Sequence, residues 1–238
     1  SMSTKSIKIA SDDIEVINKI QFDLGDDYEL IKDCSNNNYR IVYKHLYRES
    51  GNHIRINPLK RHLVENNWNF TTSFKFIPDI YKYSSYEQRL ELVKGLMDTD
   101  GSIFKNGNLE FSNSNEQLVN DLASVLRSMG ISCTKGLGRA PHQKEIKGKI
   151  CNIKQEYRLY IRTNLNLFNI SRKSDRVKKK KLFLNNPIVS ITKLDYKEES
   201  TCFLVDNKEH LYLTGDFIPT HNSFKMGSIS PCNMYTLP

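Results

Sequence analysis

Two aspartates stand together at the end of an apolar helical run. The stretch 91–103 reads ELVKGLMDTDGSI, so Asp98 and Asp100 come directly before Gly101. The C-terminal end of a helix carries partial negative charge, and an acid placed there costs up to about 1 kcal/mol. Mg²⁺ in proteins favours carboxylates together with water and phosphate oxygens. The pattern therefore predicts a divalent cation at this helix end.

A second reactive set of residues lies near the other end of the chain and comprises His210, His221, Asn222 and Ser223. The side-chain amide of Asn222 can attack its own main-chain carbonyl, which forms a five-membered succinimide and breaks the 222–223 peptide bond. An amide is a poor nucleophile and an amine a poor leaving group, so this reaction needs general acid–base help. His210 and His221 are the available groups, because histidine exchanges protons near neutral pH.

The positive charge of the chain is concentrated in one segment. The 238 residues carry a net charge of +8, but residues 135–181 hold fifteen Lys and Arg against three acids, and the remainder is net negative. A basic segment in an otherwise mildly acidic chain predicts a polyanionic partner such as nucleic acid. The alternative is a solvated, lysine-rich linker.

Cysteine use and hydropathy indicate which class of protein the chain belongs to and in which compartment it acts. The five cysteines are odd in number and form no CxxC pair, which argues against a zinc site or a disulfide framework. Such usage is typical of a reducing compartment, and we expect the cytoplasm of a microbial or phage host. No apolar run approaches the roughly 18–20 residues that a membrane span requires, and we expect no membrane partner.

Periodicity predicts alternating strands and helices around these residues. Helices are expected after the caps at Ser11–Asp13, at Ser84–Ser85 and at Asn113–Asn115, with a shorter one over residues 57–66. Strands are expected at 6–10, 28–31, 39–43, 109–112, 131–134, 157–162, 201–206 and 210–213. The basic, glycine-containing stretch between 134 and 157 is expected to be a loop.

The strand–cap–helix unit occurs twice, at an offset of 102 residues. Residues Ile7, Ile9, Val16, Ile17, Ile20 and Leu24 align with Leu109, Phe111, Leu118, Val119, Leu122 and Leu126. The agreement of strand, cap and helix face favours a duplicated unit. Shifted back by the same offset, the acidic helix end falls just before residue 1, so we expect the first copy of that helix to be missing.

The stretch 91–103 resembles the second motif of a LAGLIDADG homing endonuclease carried by an intein, and Phe168–Lys173 resembles the end of that domain. The resemblance implies two motif helices packed closely at Gly95, each delivering one acid to a shared metal site. It implies Mg²⁺ as the cofactor, with Asp100 as the catalytic, metal-binding acid and Gly101 beside it. For Asp98, capping or local structure is the alternative role.

The family binds double-stranded DNA on saddle-like sheets beside the motif helices, which implies DNA contacts from several residues here. The expected basic contacts are Lys105, Lys135, Arg158, Arg162, Arg172 and Lys173, and Phe104, Glu110 and Ser112 are further candidates by position. Because alternate residues of a strand face opposite sides, about half of the strand candidates are expected to miss the DNA.

The C-terminal residues resemble the C-terminal splicing motif of an intein. The resemblance implies that His221 assists at the scissile bond, that His210 activates Asn222, and that Ser223 attacks an upstream ester or thioester. Cys202 occupies a position where many inteins carry Asp, and it is either part of the catalysis or a small buried residue. No cofactor is expected for splicing.

Together these resemblances predict an α+β chain of three parts. Residues 1–183 are expected to form an αββαββα LAGLIDADG domain without its first motif helix, 184–222 the last strands of an all-β Hint splicing domain, and 223–238 an extein segment. The expected partners are a complementary N-terminal intein fragment, DNA and the host-protein exteins. The alternatives are a degenerate endonuclease half that only binds DNA or scaffolds the fragments, and a single-motif endonuclease that acts as a homodimer.

Overall fold

The computed structural model describes residues 7–33, 37–45, 57–68, 75–146, 148–182, 190–193, 195–197 and 205–221. The elements up to the second repeat are β1 (Ile7–Ala10), α1 (Ile14–Leu24), β2 (Tyr28–Lys32), β3 (Asn38–Tyr43), α2 (Pro58–Glu65), α3 (Asp79–Lys82) and α4 (Tyr86–Asp100). They are followed by β4 (Gly101–Ile103), β5 (Leu109–Asn113), α5 (Glu116–Ser128), β6 (Ser132–Leu137), β7 (His142–Ile146), β8 (Lys149–Ile153), β9 (Tyr157–Arg162), α6 (Ser171–Ser174), β10 (Leu211–Leu213) and β11 (Pro219–His221).

Strand order confirms the duplication predicted from the sequence. The first unit is an antiparallel sheet in the order β1-β3-β2, and the second has the order β4-β5-β9-β6, so β5-β9-β6 repeats the first sheet. The register agrees as well, because Ile7 and Leu30 both pair with Ile41. Their counterparts Leu109 and Cys133 both pair with Ile161. In each unit the two outer strands thus place an apolar or small residue against the same central isoleucine.

The second unit holds the larger core. Helix α5 begins at the Asn115 cap, whose side chain accepts a hydrogen bond from the Leu118 amide. Its apolar face packs on the sheet, and the buried residues include Leu118, Val119, Leu122, Val125 and Leu126 from the helix with Phe111, Leu159 and Ile161 from the strands. Burying an aliphatic or aromatic side chain stabilises a fold by about 1.5–3 kcal/mol, so this core anchors everything that follows.

Helix α4 carries the two aspartates and begins as its sequence predicts. Ser85 and Gln88 form a reciprocal capping box at its start. Val93 and Met97 are fully buried in the core of the second unit. Gly95 lies on the exposed face, and a side chain there would meet no described atom within 4 Å. The close helix approach expected at Gly95 therefore involves no described part of this chain.

One prediction for the second half of the chain needs correction, and another lies mostly outside the described residues. The stretch expected to be a loop contains an antiparallel hairpin, β7–β8, and β6 continues to Leu137. This hairpin is largely exposed and polar, so it lacks the apolar alternation by which a half-buried strand is detected. Of the predicted strand 201–206, only Val205 and Asp206 are described, and neither lies in a strand.

The described C-terminal residues form one small hairpin rather than a sheet that could be identified as a Hint domain. Strands β10 and β11 pair antiparallel, with Leu211 opposite His221, and a 3₁₀ turn at Gly215–Phe217 joins them. Cys202, Asn222 and Ser223 lie outside the described residues. Within the described ranges, no helix is long and apolar enough to cross a membrane.

Candidate active site at the end of helix α4

Asp100 is the exposed acid of the pair. It is the last residue of α4, and its Oδ2 accepts a hydrogen bond of 2.9 Å from Asn113 Nδ2 at the end of β5. Asp100 lines a groove of about 690 Å³ whose other charged lining residues are Lys75, Arg139, Lys154 and Glu156. It also lines a second groove, of about 640 Å³, against residues 10–16 of the first unit. Asp100 therefore stands where the two repeated units meet.

Asp98 is buried and structural. Only 7% of the residue is exposed. Its Oδ1 accepts hydrogen bonds from the amides of Asn169 at 3.0 Å and of Ile170 at 3.4 Å, just before α6. A buried carboxylate needs such donors, because an unpaired buried charge is very costly. The alternative role that the sequence left open for Asp98, local structure, matches this geometry.

Lys173 neutralises the helix end from inside the protein. Its residue exposure is 6%, and its Nζ donates to the carbonyls of Met97, Asp98 and Gly101 at 2.7–2.8 Å. The ammonium also lies 5.5 Å from the centre of the Phe168 ring. Burial, and secondly the nearby Arg172, lower the pKa of Lys173, whereas Asp98, Asp100 and Asp13 act in the opposite direction.

This position bears on three expectations, and it corrects the one for Lys173. Lys173 was predicted to contact DNA, but its ammonium is buried and engaged by three carbonyls. The cation predicted to compensate the helix end is supplied in part by this lysine. The carbonyl of Gly101, a predicted metal-site residue, is occupied by the lysine as well. Gly101 itself is required for steric reasons, because an added Cβ would lie 2.5 Å from the Met97 carbonyl oxygen.

Asp100 retains the features of a metal ligand. Its carboxylate is exposed and oriented by Asn113, and Mg²⁺ is commonly held by one or two carboxylates plus water and substrate phosphates. In the described part of the chain, no group of three or more His, Cys, Asp and Glu residues is arranged to hold a metal. The donor set therefore fits a hard cation that takes most of its ligands from water and substrate.

The strand candidates divide between the two faces of the second sheet. Lys135 pairs in register with the buried Leu159, and its Nζ contacts Glu116 and Asn120 on α5. It therefore belongs to the helix side, which differs from the predicted contact with DNA. The opposite face, which we call the outer face, contains the predicted candidates Glu110, Ser112, Arg158 and Arg162, together with Tyr160.

Arg158 on the outer face is bound by two glutamates. Its Nη2 lies 2.9 Å from Glu156 and its Nη1 lies 3.7 Å from the buried Glu110. The Arg139 amide and then Arg158 lower the pKa of the Glu156 carboxyl. A side chain at Gly138 would clash with the side chains of both Glu156 and Arg158. The sequence pattern gives no signal for Glu156, and it indicates Asn113 only as part of the cap before α5.

The remaining basic candidates are distributed around the edges. Arg172 binds Asp13 of the first unit at 2.7 Å, and this contact lowers the Asp13 pKa. Lys105 is exposed on the β4–β5 turn, where its carbonyl accepts from Lys178 Nζ. Residues 176–182, which we call the basic strap, are fixed to this end of the sheet through hydrogen bonds of Lys180 with Asn108 and Asn164.

The segment that bears Asp100 is similar to known proteins. Residues 87–167 match the family described as LAGLIDADG-like domain. This match covers about a third of the chain and includes both aspartates. The chain is also 32% identical over 154 residues to a replicative DNA helicase DnaB of Mycobacterium intracellulare, covering 63% of this chain and 26% of that protein. The chain thus spans about a quarter of this curated relative's length.

Solved structures of the homing endonuclease I-DmoI are similar at a more distant level. One, with nicked target DNA and Mn, has a TM-score of 0.37 and 15% identity over 66% of this chain and 71% of that chain. Another, with DNA and Ca, has a TM-score of 0.34 and 15% identity over 66% of both chains.

The C-terminal hairpin brings His210 and His221 together beside the second repeated unit. The rings of His210 and His221 are 6.2 Å apart, centre to centre, in an edge-to-face arrangement. His210 has a left-handed backbone with φ of 51°, as does Asp216 in the turn, with φ of 60°. Asp216 binds Arg127 of α5, and this ion pair fixes the hairpin turn to the second repeated unit.

Proposed function

We propose that the LAGLIDADG-like domain binds double-stranded DNA and cleaves its phosphodiester bonds with a divalent cation, Mg²⁺ being expected. The observation that carries this proposal is the contrast between the two aspartates. The Asp98 carboxylate accepts hydrogen bonds from backbone amides, whereas Asp100 lines an open groove together with Lys75, Arg139 and Lys154. An exposed acid beside cations is suited to a polyanionic substrate whose reaction needs a metal.

Each part of this site has a chemical task. Asp100 would hold the cation, and when bound such an ion activates water and stabilises the leaving oxygen of the cut strand. Asn113 keeps the Asp100 carboxylate oriented toward the groove. The cations around the groove attract and position phosphates, a contribution that does not depend on base sequence.

The outer face and the basic strap extend the proposed DNA surface beyond the groove. Arg158, oriented by two glutamates, and the exposed Arg162 lie along one strand, as expected for contacts spaced along a duplex. Lys178, Lys179 and Lys181 of the strap are exposed, and Lys178 donates to the Lys105 carbonyl. Arginines held in fixed orientation can read base edges, while strap lysines contribute charge toward the phosphates.

A selection from random DNA tests this proposal without a known target. The full chain is incubated with a randomised duplex library and Mg²⁺, and cut molecules are captured and sequenced. Recovery of one cleaved sequence by the wild type and not by Asp100→Asn supports the proposal. Salt-dependent binding with no cleavage would overturn the nuclease assignment and favour the degenerate, binding-only alternative. Cleavage that depends on the square of the protein concentration would favour the homodimer alternative.

We also propose a second reaction, cleavage of the 222–223 bond by cyclisation of Asn222. The support is the hairpin that carries His210 and His221 to within 6.2 Å of each other, with β11 ending at His221, directly before Asn222. Complete splicing would further require a partner segment with a first nucleophile, the predicted N-terminal intein fragment, and would join the exteins at Ser223. The assigned roles of Ser223 and Cys202 belong to this proposal.

Mass spectrometry tests the cyclisation. Incubation of the full chain at neutral pH should release the peptide 223–238 and leave a succinimide or its hydrolysis product on residue 222. Asn222→Ala should prevent release, whereas Asn233→Ala, a matched asparagine in the same segment, should not. Release of the peptide from Asn222→Ala at the wild-type rate would exclude the mechanism.

A further inference from the structure

One short segment of the chain, residues 169–173, binds both the side chain of Asp98 and the backbone carbonyls at the end of α4. Residues 169–170 donate their amides to the Asp98 carboxylate, while Lys173, one helical turn later, donates its ammonium to carbonyls of α4 and the following residue. The segment thus supplies donors both to the side chain and to the backbone of the same helix end. We call these contacts the 169–173 latch.

The three carbonyls bound by Lys173 flank Asp100 in sequence. Two of them, Met97 and Asp98, belong to the last turn of α4, where the Met97 carbonyl also accepts from the Gly101 amide. The third, Gly101, follows Asp100 directly and begins β4. Lys173 therefore fixes the backbone on both sides of Asp100 without touching its carboxylate.

Steric and electrostatic features make this fixation specific. Gly101 can approach Met97 closely only because it lacks a side chain, which brings the third carbonyl within 2.7 Å of the ammonium. The single positive charge stands where the helix end is partially negative. A neutral side chain of similar length would fill the space but would give these three carbonyls no charged donor.

From this geometry we infer that Lys173 is a positioning residue that sets the direction of Asp100 toward the groove. The inference rests on the proposed nuclease function for its catalytic consequence, although the positional claim concerns the folded chain alone. Small displacements of a catalytic group have large effects, since an error of about 1 Å can cost about a hundredfold in rate. Loss of the ammonium should therefore slow DNA cleavage even under conditions where the variant remains fully folded.

A direct measurement of the ammonium tests the positional claim. A lysine that donates to three buried carbonyls should give a slowly exchanging NH₃⁺ signal in a ¹H–¹⁵N spectrum of the full chain, and Lys173→Met should remove it. In the same variant, amide hydrogen exchange over residues 98–103 should accelerate at least about tenfold, since a restraint on that turn is removed. Unchanged exchange over 98–103 would overturn the inference, whatever the nuclease result.

Lys82 provides a matched control in the same domain. Its ammonium binds the buried Asp121 at 2.8 Å and is therefore structural without contacting residues 97–101. At a temperature where both variants are folded, Lys173→Met should cut DNA at least about tenfold more slowly than wild type, whereas Lys82→Met should stay within about twofold. Lys173→Arg should recover part of the rate. Equal loss of rate in Lys82→Met and Lys173→Met would reduce Lys173 to a stabilising role.

The two proposals fail in different ways. If no protein in the series cuts DNA, including the wild type, the nuclease proposal is lost, and the exchange data still decide whether Lys173 positions Asp100. If the wild type cuts and Lys173→Met cuts equally well, the nuclease proposal stands and the positioning role is overturned.

Discussion

Asp98 and Asp100, two residues apart on α4, occupy opposite environments. Asp98 is buried against the amides of Asn169 and Ile170, and Asp100 is exposed and bonded to Asn113. A helix places residues two positions apart on different sides, so one carboxylate can serve the fold while the other faces the groove. Substitution of Asp98 should therefore affect stability, and substitution of Asp100 should affect activity.

Asp98→Asn should destabilise the chain by about 2 kcal/mol, because charged, buried hydrogen bonds are weakened while the amides remain buried. Asp100→Asn should change the unfolding free energy by less than about 0.5 kcal/mol, as is usual for exposed positions. Urea unfolding of both variants measures the difference. A larger loss of stability in Asp100→Asn than in Asp98→Asn would contradict the assigned roles.

The glycines of the motif should respond in opposite directions to alanine. Gly95→Ala meets open space in a helix interior and should stabilise the chain by about 0.5–1 kcal/mol. Gly101→Ala places a methyl group against the Met97 backbone and should cost about 1–3 kcal/mol. Thermal unfolding decides the signs. Destabilisation by Gly95→Ala would indicate that another helix packs on this face, as the family resemblance implies.

Glu156 should make stability depend on pH in a defined window. Its pKa is depressed in the folded state by the Arg139 amide and by Arg158, so its contribution is present above the ordinary value of 4.5. The contribution disappears as pH falls through the lower folded value. Glu156→Gln should therefore be less stable than wild type at pH 7, by about 1 kcal/mol, with the difference vanishing in acid. A difference that persists at a pH well below the folded pKa would exclude this origin.

The basic strap should determine the salt dependence of DNA binding. For every phosphate that the protein no longer neutralises, the slope of log K against log salt becomes shallower by about 0.9. Replacing Lys178, Lys179 and Lys181 by Ala should therefore reduce the slope by about 2–3, measured by anisotropy on a random duplex. Lys135→Ala is the matched control, since its ammonium faces α5. A shallower slope in the control alone would reverse the assignment of the sheet faces.

The sequence predicted those features that depend on a single short-range interaction or on periodic burial. The caps at Asp13, Ser85 and Asn115, the apolar face of α5 and the 102-residue repeat all follow from short-range hydrogen bonding and periodic burial. The role of Lys173 could not be predicted in this way. A lysine in a basic run resembles a DNA contact, and only the return of the chain to α4 buries it.

The same limit applies to Lys135 and to the β7–β8 hairpin. Strand alternation predicted that some basic candidates would miss the DNA, but the choice of face depended on the pairing of β6 with β9. The hairpin is stabilised by pairing between polar strands, which leaves no hydrophobic signature. The chemistry predicted for Cys202, Asn222 and Ser223 remains a prediction, since these residues lie outside the described ranges.

The β7–β8 hairpin also bears on the symmetry of any target. The two repeated sheets share strand order and register, yet the short connection from β2 to β3 is replaced in the second unit by an arm that spans residues 138–156. Two related sheets that differ in this connection, five residues in one and nineteen in the other, cannot make equal contacts with two identical half-sites. A DNA sequence read by both units would therefore be non-palindromic, and the protein would bind it in a single orientation.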